Sequence, residues 1–362
     1  MNNGHEKPAG PFSSNAVRLS IREWLGLLLL FVLVAAFAGP IWKRLEVFEP
    51  SADYRIPFDL SEDYWLFDRY CREAGKSDKT FVIGDSFVWG QYVRKEESLA
   101  HFLNQQAGSE RFINAGLDGT HPLALDGLIK HYCAGLKDRE VILHLNLLWL
   151  SSPQADLRTE RETHFNHPRL VPQFIPNVPS YDEPISERMG IVLARYVPFQ
   201  DWSRHIRSVY YSNADLPLWT LDNPYLNPLG RITFTLPESE DNPHSDAQAW
   251  FADRGYRQEL PWVDVETSLQ WQAFRRLVDE LQARGNRVFV LVGPLNEHML
   301  EPSNVAVYRE ILTDVELWLK SRDLPYYIPP VLPSDLYADM SHPFGQGYAL
   351  LAAGLLEQMS DQ

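Results

Sequence analysis

Cysteine is nearly absent from this chain of 362 residues: only Cys71 and Cys133 occur. Neither belongs to a C-x-x-C pair or to a Cys/His spacing that would hold zinc, so no structural metal is expected. A bond between the two is open if the domain faces an oxidising compartment, but their separation in sequence supplies no geometry. Positive charge is also scarce. Lysine and arginine total 33 against 48 acidic residues, a formal net charge of −15, and no basic stripe is present, which argues against nucleic acid as a partner. There is no internal repeat, so a solenoid or propeller is excluded. Aromatic residues are plentiful, with eleven Trp and sixteen Tyr, enough to serve both a core and sugar-stacking platforms.

One long uncharged run stands near the start. Residues 1–23 read as a short polar tail, and residues 24–42 then carry no charge and include LLLLFVLV at 27–34. That length spans a bilayer, and Trp24 and Trp42 at its ends suit the two interfaces. A signal peptide cleaved near Ala36-Phe37-Ala38 is a competing reading, as is a buried core helix. The expectation is a transmembrane signal-anchor projecting from a globular domain. Positive residues lie on both sides of it, so the positive-inside rule is nearly silent. A short tail inside and a large domain outside is the arrangement adopted. Residues 43–78 read as a linker that turns helical near 63–73 and packs onto the domain.

From 79 onward, short apolar runs alternate with amphipathic helical patterns. Strands are expected at 80–83, 111–114, 140–146, 287–292 and 325–328. Helices are expected at 96–106, 122–136, 266–284, 305–321 and 344–359. Alternation of this kind means a parallel sheet covered on both faces, a three-layer α/β fold. The first strand runs into a turn in TFVIGDSFVWG at 80–90, so Ser86 falls at its carboxyl end, where open α/β sheets place their ligand crevice. A serine there becomes a nucleophile if a base lies within hydrogen-bond reach; as a bare Gly-Asp-Ser turn it would have no such role.

The base is found near the other end of the chain, in LYADMSHPFGQGY at 336–348. Asp339, three residues before His342, is placed to orient and charge-stabilise the imidazole, and His342 to take the proton of Ser86. The GDS block after the first strand and the D-x-x-H block together resemble the SGNH (GDSL-like) hydrolase superfamily. Two further blocks fit that resemblance. In NAGLDGTHP at 114–122 the later glycine, Gly119, matches the family's oxyanion-hole glycine; read without the family it is a glycine-rich turn. In VILHLN at 141–146 the strand ends on Asn146, matching the family's oxyanion asparagine, although the family's commoner G-x-N-D pattern is replaced by His144, Leu145, Asn146 and Leu147. An asparagine at a strand end also serves simply as a cap.

The resemblance implies a flavodoxin-like SGNH fold with strand order 2-1-3-4-5 and Ser86, Asp339 and His342 as catalytic residues. The oxyanion hole is then made by Ser86, Gly119 and Asn146, Asp85 supports the loop, and no cofactor is needed. Water as acceptor makes such a protein an esterase; a sugar hydroxyl makes it an O-acyltransferase. A single anchor joined to an SGNH-like domain is similar to bacterial envelope acyltransfer proteins of the alginate-acetylation type. That similarity implies a carbohydrate or acyl-ester substrate, an extracytoplasmic catalytic domain and a multi-span membrane acyltransferase partner. A membrane-tethered scaffold with a decayed site is the alternative of another class. The stretch 151–261 breaks the α/β rhythm with crowded proline and aromatic residues and is read as an insertion near the crevice, helical over 186–212. Its histidines, His164, His167 and His205, are expected as surface or packed side chains rather than metal ligands.

Overall fold

The computed structural model describes residues 19–159, 165–236, 238, 247–250 and 256–360. The tail expected before residue 19, and His164, lie outside them. Five parallel strands form one sheet: β1 (Thr80–Gly84), β2 (Phe112–Gly116), β3 (Glu140–Leu145), β4 (Arg287–Val292) and β5 (Tyr326–Tyr327), in the order β2-β1-β3-β4-β5. The order reverses between β2 and β3, which puts the switch point at the carboxyl end of β1.

Side-chain alternation builds a core on each face. Phe81 and Ile83 of β1, Val141, Leu143 and Leu145 of β3, and Val288, Val290 and Val292 of β4 join one apolar cluster. The residues between them, Val82, Ile142, Phe289 and Leu291, join the other. A strand with no polar face must be covered on both sides. Helices α2 (Tyr64–Ala74), α5 (Pro122–Tyr132), α9 (Leu269–Ala283) and α10 (Pro302–Ser321) contribute to the first cluster, and α4 (Leu99–Ala107) and α11 (Gly345–Ser360) to the second. Helix α9 illustrates the logic: Trp271, Phe274, Leu277, Val278 and Leu281 recur at helical spacing and are buried. Its start is fixed by Ser268, whose hydroxyl accepts from the Trp271 amide at 3.0 Å. The buried Asp156 carboxylate accepts from the next two amides, Leu269 and Gln270, each at 3.0 Å. That contact ties the start of the central insertion to the sheet domain.

Two expectations are revised. The segment expected to be helical over 186–212 is two helices, α6 (Ile185–Ala194) and α7 (Pro198–Tyr211), because Pro198 restricts the residue before it and removes an amide, which starts a new helix. A third helix, α8 (Leu216–Asp222), follows. The apolar N-terminal run forms one helix, α1 (Ile21–Leu45), long and apolar enough to cross a membrane. Its start carries a capping box between Ser20 and Glu23. It does not project freely. From Ala35 onward it is flanked by the domain: Gly39 is buried beside Trp202 and Trp65, and Trp42 packs against Trp202, Tyr210 and Phe234.

A buried polar cluster locks that junction. Glu46, at the end of α1, accepts from Arg69 Nη1 (2.5 Å), Tyr210 (2.7 Å), Trp42 Nε1 (2.9 Å) and His205 Nε2 (3.0 Å). The other nitrogen of His205 lies 2.6 Å from Asp63 Oδ2. His205 is thus a packed histidine. Burial disfavours its charge, but Asp63 and Glu46 outweigh that and raise its pKa to about 9. Its folded pKa exceeds the ordinary value of about 6.5. The stability it confers is therefore fully present below about pH 6.5 and is lost as pH rises through about 9. Replacing His205 by Ala removes the ring that faces two buried carboxylates, leaving Asp63 without it while Glu46 keeps Arg69, and should cost about 3 kcal/mol. Thermal melting of the full chain in detergent checks both points: the wild-type midpoint should fall between neutral pH and pH 9, and the variant should start lower with a shallower fall.

Candidate active site

Strand β1 ends at Gly84, and Asp85 begins the short helix α3 (Ser86–Trp89) by accepting from the Phe87 amide at 3.0 Å. Close packing holds this helix down on β2. A side chain on Gly116 would place its Cβ 2.4 Å from the Trp89 nitrogen, so only glycine fits. Asn114 of β2 donates from Nδ2 to Val88 O at 2.8 Å. From below, the buried Arg55 donates to Trp89 O at 3.0 Å and Gly90 O at 2.8 Å, satisfying carbonyls at the helix end. Ser86 is therefore positioned by backbone contacts on three sides.

The Ser86 hydroxyl lies 2.8 Å from His342 Nε2. On the far side of the ring, Nδ1 is 2.8 Å from Asp339 Oδ2 and 2.9 Å from Oδ1. The carboxylate is itself fixed, with Oδ1 accepting from the amides of Ser341 and His342 at 2.9 Å each. The Asn296 side chain, from the loop after β4, donates to the Asp339 carbonyl at 3.3 Å. Residues 256 positions apart thus meet in one hydrogen-bonded line. Burial disfavours the charged His342 ring, but the hydrogen bond and charge of Asp339 prevail, aided by Asp85 and Asp118, and raise its pKa. Burial likewise opposes the charge on Asp339, and His342 with the two amides holds its pKa below the usual carboxylate value. Tyr92 closes one side, edge-on to His342 with ring centroids 5.4 Å apart. Burial, the charge of Asp339 and a hydrogen bond with it push the Tyr92 phenol up to about 12.

Asp85 takes no part in that line. It is buried and gathers donors. Oδ2 accepts from Asn146 Nδ2 at 2.8 Å and Trp149 Nε1 at 3.1 Å, and Oδ1 lies 3.2 Å from His144 Nδ1. Burial works against its charge, but the charge and hydrogen bond of His144 and the hydrogen bond from Asn146 hold it down to about 2. The Asn146 carbonyl oxygen accepts from the Leu148 amide at 3.0 Å, capping the turn at Leu147–Leu150. Both ends of the Asn146 amide are thereby fixed, with one of its two N–H bonds given to Asp85. Gly119 adopts φ +67°, which glycine allows freely. Ser86, Gly119, Asn146, Asp339 and His342 all line one cleft of about 650 Å³. Trp149, Leu260, Met299 and Met340 form its apolar part.

His144, Trp149 and Tyr92 belong to this site and carry no motif. His144 did leave a signal: a titratable residue inside an apolar strand, two positions before Asn146 and hence on the same sheet face. Its ring stacks on Phe87 at 4.2 Å, and Nε2 meets the Gly293 carbonyl at 3.1 Å. His167 lies elsewhere, buried between the Tyr64 hydroxyl at 2.8 Å and the Asp118 carbonyl at 2.7 Å. Cys71 and Cys133 are buried free thiols. Among the described residues no His, Cys, Asp or Glu cluster has a metal-holding arrangement. No protein-family model matches the sequence, and no curated protein is similar enough to count as a match.

The ring of His342 accepts a proton from Ser86 only when neutral. Because its pKa is raised, modification of Ser86 by a fluorophosphonate should increase with pH through a midpoint above about 6.5. Labelling rates of the full chain across pH 5–9, with Ser86→Ala as blank, measure this; a flat profile contradicts it.

Proposed function

We propose that the chain is a membrane-anchored serine esterase or O-acyltransferase of SGNH type, working through an acyl-Ser86 intermediate. The observation that carries the reading is the Ser86–His342–Asp339 hydrogen-bonded line at the cleft. Strand order β2-β1-β3-β4-β5 supports the flavodoxin-like form of that fold. In the first step Ser86 Oγ attacks an ester carbonyl as its proton passes to His342 Nε2, while Asp339 offsets the charge gained by the ring. The amides of Ser86 and Gly119 and the remaining N–H of Asn146 receive the oxyanion. Collapse of the tetrahedral adduct breaks the bond to the leaving alcohol, which takes the proton from His342. In the second step His342 removes a proton from the acceptor hydroxyl, which attacks acyl-Ser86; the acyl–Oγ bond breaks, and His342 returns the proton to the departing Ser86 Oγ.

Acyl transfer to a hydroxyl of an envelope or exported polysaccharide is the reading we favour over hydrolysis. The combination of an N-terminal apolar helix with a cleft lined by both an aromatic ring, Trp149, and polar side chains, Asn166 and Gln91, supports it. In this reading α1 is a single-pass anchor, the catalytic domain is extracytoplasmic, and a multi-span acyltransferase in the same membrane supplies the acyl group. Following an acyl label from an activated ester in the presence of oligosaccharides tests it. Label recovered on sugar supports transfer, label released as free acid makes the protein an esterase, and no acyl-enzyme at all leaves a scaffold.

Asn146 is tested separately. Its replacement by Ala should lower turnover about 10²–10³-fold with substrate binding nearly unchanged, because the donor acts chiefly in the transition state. If Asn146 acts only as a cap, the variant instead loses about 0.5–2 kcal/mol of stability and keeps its turnover per folded molecule. Melting temperature and acyl-enzyme formation, read on the same preparation, decide.

A further inference from the structure

The part of α1 in which every residue is exposed is too short to cross a bilayer. Residues 21–34 are exposed throughout and extend about 21 Å at about 1.5 Å per residue. The hydrocarbon core is about 30 Å thick. Any span by α1 must therefore include residues 35–42, and those are already flanked by protein. Phe199, at the start of α7, lies with its ring 6.2 Å from that of Phe31, well inside the uncharged run. Ala35 and Gly39 share a cavity of about 410 Å³ with Arg195 and Phe199. What touches this half of α1 lies at the depth of lipid.

The surface there is built for that depth. The corner joining α6 to α7 exposes Leu193 (58%), Tyr196 (80%) and Val197 (39%). Leu193 continues a stripe of exposed Ile185 and Met189, spaced four residues apart along one face of α6. Arg195, the cation at the corner, turns inward and donates to the carbonyls of Arg169 and Val171 at 2.6 and 2.8 Å. The same arginine borders a second cavity with Val192, Phe174 and Ile175, and Ile175 is 90% exposed. Exposed apolar side chains thus lie on both sides of Arg195, while the two cavities themselves also have charged walls, Asp126 and Lys130 in one and Asp68, Arg72 and Asp201 in the other.

We propose that the α6–α7 corner is embedded in the acyl chains of the leaflet that receives the C-terminal half of α1, making the central insertion a second membrane element. The occupant of this surface is lipid. The inference rests on the reading of α1 as a membrane span. Embedding at two places fixes the orientation of the domain above the bilayer and the height of the Ser86 cleft, which a single helix on a flexible linker would leave free.

Site-directed spin labelling tests it on the full chain in phosphatidylethanolamine and phosphatidylglycerol vesicles. Cys71 and Cys133 are buried, so labels go to introduced cysteines: Leu28→Cys in α1, Leu193→Cys and Tyr196→Cys at the corner, and Leu350→Cys on α11, across the sheet. Collision with oxygen, relative to a water-soluble nickel chelate, should be several-fold higher at the first three sites than at Leu350→Cys. If Leu28→Cys is in lipid while both corner sites match Leu350→Cys, the inference fails and the anchor stands. If the corner labels are shielded from both colliders, protein rather than lipid covers them and the inference also fails. Nickel access at Leu28→Cys would overturn the span and the inference with it.

Discussion

A buried carboxylate organises the candidate site of this protein. Asp85 closes the first turn of the nucleophile helix, fixes the Asn146 amide at the end of β3, receives the Trp149 indole and faces His144. The segments that follow two neighbouring strands, β1 and β3, are thus held by one side chain. An unpaired charge at this depth would be costly; held by three hydrogen-bond donors and facing His144 it becomes a rigid post. Its folded pKa of about 2 keeps it charged over the range in which His342 titrates. The negative field it adds is part of what raises the His342 pKa, so the residue beside Ser86 also acts on the imidazole.

Much of this was legible in the sequence, for physical reasons that differ from residue to residue. Strands β1, β3 and β4 are largely apolar runs rich in Val, Ile, Leu and Phe, interrupted inside only by His144, and such runs have few alternatives to a covered parallel sheet. Ser86 sits directly beyond β1, and the D-x-x-H spacing lets the loop before the last helix hold both acid and imidazole. Asn146 was readable as a strand-end residue, but its pairing with Asp85 was not, because nothing local says which of several strand-end side chains meet. His144 looked like a departure from a motif, whereas in the structure it pairs with Asp85 and stacks on Phe87.

The N-terminal helix shows where local reading stops. Composition predicts a span, and the structure contains one long apolar helix, yet composition says nothing of what lies beside it. The contact between Phe31 and Phe199 and the Glu46–His205–Asp63 cluster join segments more than 140 residues apart. They turn the central stretch of prolines and aromatics from an insertion of unspecified purpose into the mount on which α1 is seated. These contacts join helix, mount and cleft, and under the proposed function that junction would set how the site meets a substrate delivered from the membrane.

Trapping the acyl group on the protein tests the central claim most directly. The full chain is mixed with an activated acetyl ester, quenched in acid, weighed intact and mapped by peptide fragmentation. The account predicts one acetyl group per chain, located on Ser86 and absent from Ser86→Ala, with His342→Ala forming it far more slowly. Acetylation that persists in Ser86→Ala, or a wild-type chain that stays unmodified while folded, would contradict it.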